Sequence, residues 1–179
     1  MISLQPLQRA DLGLLAAWLA EPLVARWWAV DPGEVEARYG PSIDGTDPTA
    51  LYLGLTDGEP FGFVQVYRFA DEPSYVAELA PVHPVPAGAL SIDYLVGTAG
   101  HRGRGLGAGL VRAAVQRGFA DHPDAQDVVV PVHAENRASW RALEAAGFTR
   151  VAEGELEPDN PADTRAHVVY RRHRPQPSG

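Results

Sequence analysis

One stretch near the middle of the chain limits the architectures open to it. Ala89-Leu-Ser-Ile-Asp-Tyr-Leu-Val-Gly97 is followed by His101-Arg-Gly-Arg-Gly-Leu-Gly107, and then by an apolar stripe at Leu110, Val111, Ala114, Val115 and Phe119. A β-rich run, a glycine turn and a helical period in direct succession require a strand that enters a helix through a tight loop. A second run, Asp127-Val-Val-Val-Pro-Val-His133, comes after the helix. Strand, helix and strand set the two strands parallel, and consecutive apolar residues suit a strand covered on both faces. Such a unit points to a mixed α/β sheet with one central parallel pair.

The remaining segments read as additions to that unit. Residues 2–7 alternate as a first strand, and Asp11 is placed to cap a helix through Leu12, Leu15, Trp18 and Leu19. Pro22 opens a short turn that ends at Trp27-Trp28, and Asp31-Pro32 opens a helix expected to stop at Gly40-Pro41. Residues 50–56 and 61–69 are strands joined by Asp57-Gly58-Glu59-Pro60, a hairpin signal. Residues 70–88, rich in Pro, Ala and acid, read as a long loop, with Asp71, Glu72 and Glu78 either solvated or a funnel for a polycation. Asn136 begins a helix closed by Gly147-Phe148, residues 151–155 and 165–172 pair antiparallel, and residues 175–179 read as a disordered tail. The expected fold class is α/β: a mixed, mostly antiparallel sheet with one central parallel pair, flanked by helices, in one domain over residues 1–174.

Composition removes several function classes. Lys and Arg total 15 against 23 Asp and Glu, a net charge of −8, which disfavours a general nucleic-acid binder. With no cysteine there is no disulfide framework, thiolate nucleophile or Cys-based zinc site. The six histidines lack ligand spacing and no Gly-x-Ser-x-Gly elbow occurs, so neither a metal centre nor a serine hydrolase is expected. No apolar run is long enough to span a bilayer, and the opening residues do not have the form of a secretory signal. The expectation is a soluble, cytoplasmic protein, monomeric or homodimeric. Its partner should be a small molecule, with neither nucleic acid nor membrane involved.

Two features carry chemistry. In Arg102-Gly103-Arg104-Gly105-Leu106-Gly107-Ala108, glycines let backbone N–H groups converge at a helix N-terminus. That arrangement is either a plain turn or a pyrophosphate cradle, with Arg102 and Arg104 adding charge-assisted contacts. The pattern Gly103-x-Gly105-x-x-Ala108 also meets a loose dinucleotide fingerprint, but it lies about a hundred residues into the chain rather than at the first βαβ unit. A P-loop is excluded, since no Gly-Lys-Ser/Thr follows. The second feature is Asp93, a carboxylate in an otherwise apolar strand. It is costly there unless satisfied by a neighbouring strand or put to use as a base for an ammonium group.

Arg102-x-x-Gly105-x-Gly107, followed by Asn136-Arg-Ala-Ser-Trp140 and Glu144-Ala-Ala-Gly147-Phe148, resembles the acyl-CoA signature of the GCN5-related N-acetyltransferases. Leu15-Ala-Ala-Trp18-Leu19, Arg26-Trp27-Trp28, the hairpin from Asp57 to Tyr67 and Ser91-Ile92-Asp93-Tyr94-Leu95 are similar to the aminoglycoside 6′-N-acetyltransferases, over nearly the whole chain. The resemblance implies acetyl-CoA as cofactor and direct attack of a neutral amine on the thioester. Asp93 would hold the ammonium and take its proton, and a backbone N–H at Leu95 or Val96 would polarise the thioester carbonyl. Cofactor contacts are implied for Leu95, Val96, Gly97, Arg102, Gly103, Arg104, Gly105, Leu106, Gly107, Ala108, Asn136 and Ser139. Acceptor contacts are implied for Trp27, Trp28, Gln65, Tyr67 and Asp93. The chain departs from the family at Leu143, where a tyrosine frequently donates a proton to the leaving thiolate; Ser139, Tyr94 or water are the substitutes. Acyltransferases of siderophore-lysines or protein N-termini share the fold, and a CoA-binding sensor without turnover is the alternative from another class.

Overall fold

The computed structural model describes residues 1–176, so the last three residues of the expected tail, 177–179, lie outside it. Seven strands form one sheet in the order β1-β2-β3-β4-β5-β7-β6: β1 (Ile2–Pro6), β2 (Ala50–Thr56), β3 (Glu59–Arg68), β4 (Leu90–Val96), β5 (Asp127–His133), β6 (Thr149–Glu155) and β7 (Ala166–His173). All neighbours are antiparallel except β4 and β5. The parallel pair registers only at Leu90 opposite Val128; beyond it the two strands separate and the sheet opens.

Side chains alternate across this sheet, and each face has its own helices. Leu51, Leu53, Phe63 and Leu95 face α1 (Leu12–Leu19), α2 (Pro22–Ala25) and α3 (Val35–Ile43), packing with Leu15, Trp18, Leu19 and Tyr39. Tyr52, Val64, Val66, Leu90 and Ile92 face α5 (Leu106–Asp121) and α6 (Arg137–Ala145). The expected stripe on α5 is buried throughout: Leu110, Val111 and Ala114 are 0% exposed. Period-two alternation therefore puts Asp93 on the α1–α3 face and Tyr94 on the α5–α6 face.

Three local expectations are corrected. The third helix runs through Pro41 to Ile43, because the proline forfeits only one backbone bond while Tyr39 and Gly40 are buried beneath it. The stretch at 70–88 is not all loop: Pro73–Leu79 forms α4, pinned by the fully buried Leu79 against Phe69 and Leu156. Asp11 occupies the N-cap position of α1, but its carboxylate turns back to accept from the Gln8 N–H at 2.9 Å, holding the preceding 3₁₀ turn instead. No helix among the described residues is long and apolar enough to cross a membrane.

Candidate active site

A cleft of about 650 Å³ opens where β4 and β5 part. Asp93, Gln65 and Tyr67 form part of its wall, Trp27 and Trp28 stand on another side, and Tyr94, Asn136 and Ser139 line it from the α5–α6 side. The sheet register accounts for the first group: Gln65 lies directly opposite Asp93, and its Nε2 donates to Asp93 Oδ2 at 2.7 Å. Burial raises the Asp93 carboxyl to about 6, opposed by the hydrogen bond from Gln65 and raised further by the Asp159 carboxylate. A carboxyl with that value is half ionised at about pH 6 and mostly ionised at neutrality, so it is a stronger base than an exposed aspartate and still present in its basic form.

Trp28 is fixed by donating Nε1–H to the Tyr39 hydroxyl at 2.9 Å and by an edge contact with Phe63, its ring centroid 5.7 Å away. Trp27 lies 5.4 Å from the His133 ring, with the Arg26 guanidinium 4.1 Å over its face. Both tryptophans thus serve the cleft as well as the packing. Sequence reasoning missed much of the remaining wall, apart from Glu78, which it read as solvated or as drawing in a polycation. Glu34 comes from the turn before α3, Glu78 from α4, and Glu157, Asp159 and Asp163 from the β6–β7 connection. Together with Asp93 these are six carboxylates, against the two arginines Arg26 and Arg38. The run Glu155-Leu-Glu-Pro-Asp159 was visible in the sequence, but nothing there tied it to Asp93. The Glu78 carboxylate fastens that connection by accepting the Glu157 N–H at 2.8 Å.

The glycine loop stands apart from this cleft, at the N-terminus of α5. Gly103 and Gly105 have φ of +72° and +76°, and a Cβ on either would point into open space. Among the described residues, no backbone N–H from Gly103 to Ala108 donates to a protein acceptor. A row of unspent donors at a helix N-terminus fits a pyrophosphate and has no structural duty of its own. Arg104 is exposed beside them. Arg102 departs from expectation: its guanidinium turns back to donate to Val96 C=O at 3.2 Å and Gly97 C=O at 2.8 Å, with Glu21 3.6 Å away. It braces the end of β4, since two carbonyls and a carboxylate satisfy it there. Gly97 is required on packing grounds, because a Cβ would meet the Trp18 ring at 2.1 Å.

The expected carbonyl-polarising amide is narrowed as well. Gly97 N–H donates to Phe61 C=O across the β3–β4 ladder, and backbone direction repeats every second residue. The Leu95 amide therefore points to β3, and its candidacy falls. The Tyr94 and Val96 amides turn toward the opening, where β5 offers no partner in register. Asn136 caps α6 by accepting the Ser139 N–H at 3.2 Å, and the Tyr94 hydroxyl lies 2.8 Å from Ser139 C=O and 2.9 Å from Ser139 Oγ. Leu143 is fully buried in the core, so no side chain from that position reaches the cleft.

The chain matches the acetyltransferase (GNAT) domain over residues 8–156. It is 30% identical over 169 residues to aminoglycoside N(6′)-acetyltransferase type 1 of Klebsiella pneumoniae, spanning 90% of this chain and 80% of the relative. The Serratia marcescens protein of the same name matches to the same extent. Among solved structures, aminoglycoside acetyltransferase AAC(6′)-Ib in complex with coenzyme A superposes with a TM-score of 0.80 at 28% identity, covering 97% of this chain and 95% of that one. A complex of AAC(6′)-Ib with paromomycin and acetyl-CoA gives 0.79 at 28%, covering 97% and 93%. The spread β4–β5 pair, the free amides ahead of α5 and these matches over most of the chain agree: the protein belongs to the GNAT family of acetyltransferases.

Proposed function

We propose that the protein transfers the acetyl group of acetyl-CoA to a primary amine of a polycationic acceptor, the 6′-amino group of an aminoglycoside. The observation that carries this reading is Asp93, raised to about 6 at the wall of a cleft with six carboxylates, next to the opening between β4 and β5. Acetyl-CoA supplies an activated acyl group on a thiol leaving group. Loop residues Gly103 to Ala108 would hold its pyrophosphate through backbone N–H groups, with Arg104 adding charge. The Val96 amide, with Tyr94 beside it, would stabilise negative charge on the carbonyl oxygen. Asp93 would bind the acceptor ammonium and take its proton, held in place by Gln65. Trp27 and Trp28 would wall the sugar ring, and the outer carboxylates would draw a polycation inward. The names of the relatives, and the aminoglycoside complexes among the structural neighbours, support the acceptor class. Thiol release from acetyl-CoA tests the reading. Release is expected with an aminoglycoside bearing a 6′-amino group and not with its 6′-hydroxyl counterpart; equal release with both, or with neither, overturns it.

A further inference from the structure

Asp93 borders two cavities. Besides the large cleft, a smaller one of about 220 Å³ reaches the same carboxylate from the side of α3 and the start of β2. Gln65, Tyr67, Tyr75 and Asp93 form walls common to both, while Ser42, Asp47, Thr49 and Glu72 belong to the smaller one. Its lining is polar on the far side. Asp47 accepts from the Thr49 N–H at 2.8 Å and from Ser42 Oγ at 3.1 Å, and the Thr49 bond in particular keeps its carboxyl below the usual range, so it stays ionised. The cavity has room and partners for several waters.

The reaction, which rests on the function proposed above, creates a need for such a space. An acceptor enters as R–NH₃⁺ and leaves as R–NH–COCH₃. Of its three N–H protons, one goes to Asp93 before the nitrogen lone pair forms the new C–N bond. A second ends on sulfur as the C–S bond breaks and its electron pair goes to the thiol, and the third stays on the amide. Each turnover therefore leaves one proton on Asp93 that must reach bulk solvent. While the acceptor fills the large cleft, that side of Asp93 is covered.

We propose that the smaller cavity is the route by which the proton taken by Asp93 leaves to solvent while the acceptor occupies the larger one. Water within it carries the proton past Tyr67 and Tyr75 toward the Asp47 and Glu72 carboxylates at its far side. Tyr67 and Tyr75 are both raised by burial and remain neutral, so they border the route without competing for the proton. Arg38 also lines the cavity and balances part of its negative charge.

The test fills the route and changes the proton count separately. Thr49→Phe and Ser42→Phe, made singly, each occupy the smaller cavity from a different wall, and neither position lines the larger cleft. With a charged alkylamine acceptor at neutral pH, kcat should fall by about tenfold, less than the loss of the base itself would cost, with kcat/KM little changed. With an O-alkyl hydroxylamine, whose nitrogen arrives uncharged and delivers no net proton, kcat should not change. Melting temperature and its rise with acetyl-CoA should match wild type. Equal losses with both acceptors, no loss with either, or a raised KM at constant kcat would each overturn the route, the last by making the cavity an acceptor subsite. If the wild-type protein acetylates no amine at all, the functional reading falls first and the route falls with it.

Discussion

The two halves of the site are built on opposite plans. The loop ahead of α5 and the first turn of that helix are six consecutive residues, 103–108, offering main-chain N–H groups, with glycines at positive φ keeping side chains out of the way. The cleft around Asp93 is made of side chains from α3, α4, α6, β3–β5, β7 and the α2–α3 and β6–β7 connections, and its charge is acidic. The first plan suits an anion whose phosphates are the same for every donor; the second suits a cation whose shape has to be told from others. A local motif can be kept by a few residues, whereas a dispersed one can be retuned at any of its walls.

If that division holds, substitutions should damage one half and spare the other. Asp93→Asn keeps the size and loses the base, so acetyl transfer should fall by on the order of a hundredfold or more. Acetyl-CoA affinity, measured by calorimetry, should stay unchanged; a parallel loss of cofactor binding would show that the halves are not separable. Gly105→Val should do the converse, weakening acetyl-CoA by about tenfold or more through lost charge-assisted bonds. Its cost to the fold should be only about 1–2 kcal/mol, for a branched residue forced to positive φ. Normal affinity in this variant would reduce the loop to a turn.

The acidic half also makes a stability claim. Asp93 titrates at about 6 in the folded protein against an ordinary 3.8, chiefly because burial disfavours its charge. A raised carboxyl contributes its full stability only below the unfolded value, and that contribution is lost as pH climbs through about 6. At pH 7 and above the ionised Asp93 should therefore cost on the order of 2–3 kcal/mol, and Asp93→Asn should melt higher than wild type. The gap should close by about pH 4. A variant that melts lower at pH 8 would mean that the Gln65 bond outweighs burial. The smallest effect is expected at Arg26, which pairs with Asp163 and Glu135 at the rim of the cleft and is exposed to solvent. Arg26→Ala should lower KM for a polycation slightly by freeing those carboxylates, and the change should vanish in high salt.

How much of each half could be read in advance follows from the same contrast. The Gly103–Ala108 loop, the Asn136 cap and the α5 stripe are neighbours in sequence, so spacing alone exposed them. Asp93 was legible because a carboxylate in an apolar strand is anomalous by itself. The carboxylates of Glu34 and Asp163 were not, since each looks like an ordinary surface residue until the chain brings them to one opening, while Glu78 was legible as an acid of the 70–88 stretch but not as a neighbour of Asp93. Arg102 was legible as a charge but not in its direction, which the carbonyls of Val96 and Gly97 decided.

The sequence by itself determined the alternation that sends Asp93 to one face of β4 and Tyr94 to the other, and the strand–loop–helix that aims free amides at an anion. Both follow from backbone periodicity, which needs no tertiary partner to be defined. Only the tertiary structure decided that β4 and β5 part after a single register pair, that Val96 rather than Leu95 turns its amide to the gap, and that two cavities meet at Asp93. Those outcomes depend on which strand lies beside which and on how α1, α4 and the β6–β7 connection press against the sheet. Such contacts join residues dozens of positions apart, and no local pattern records them.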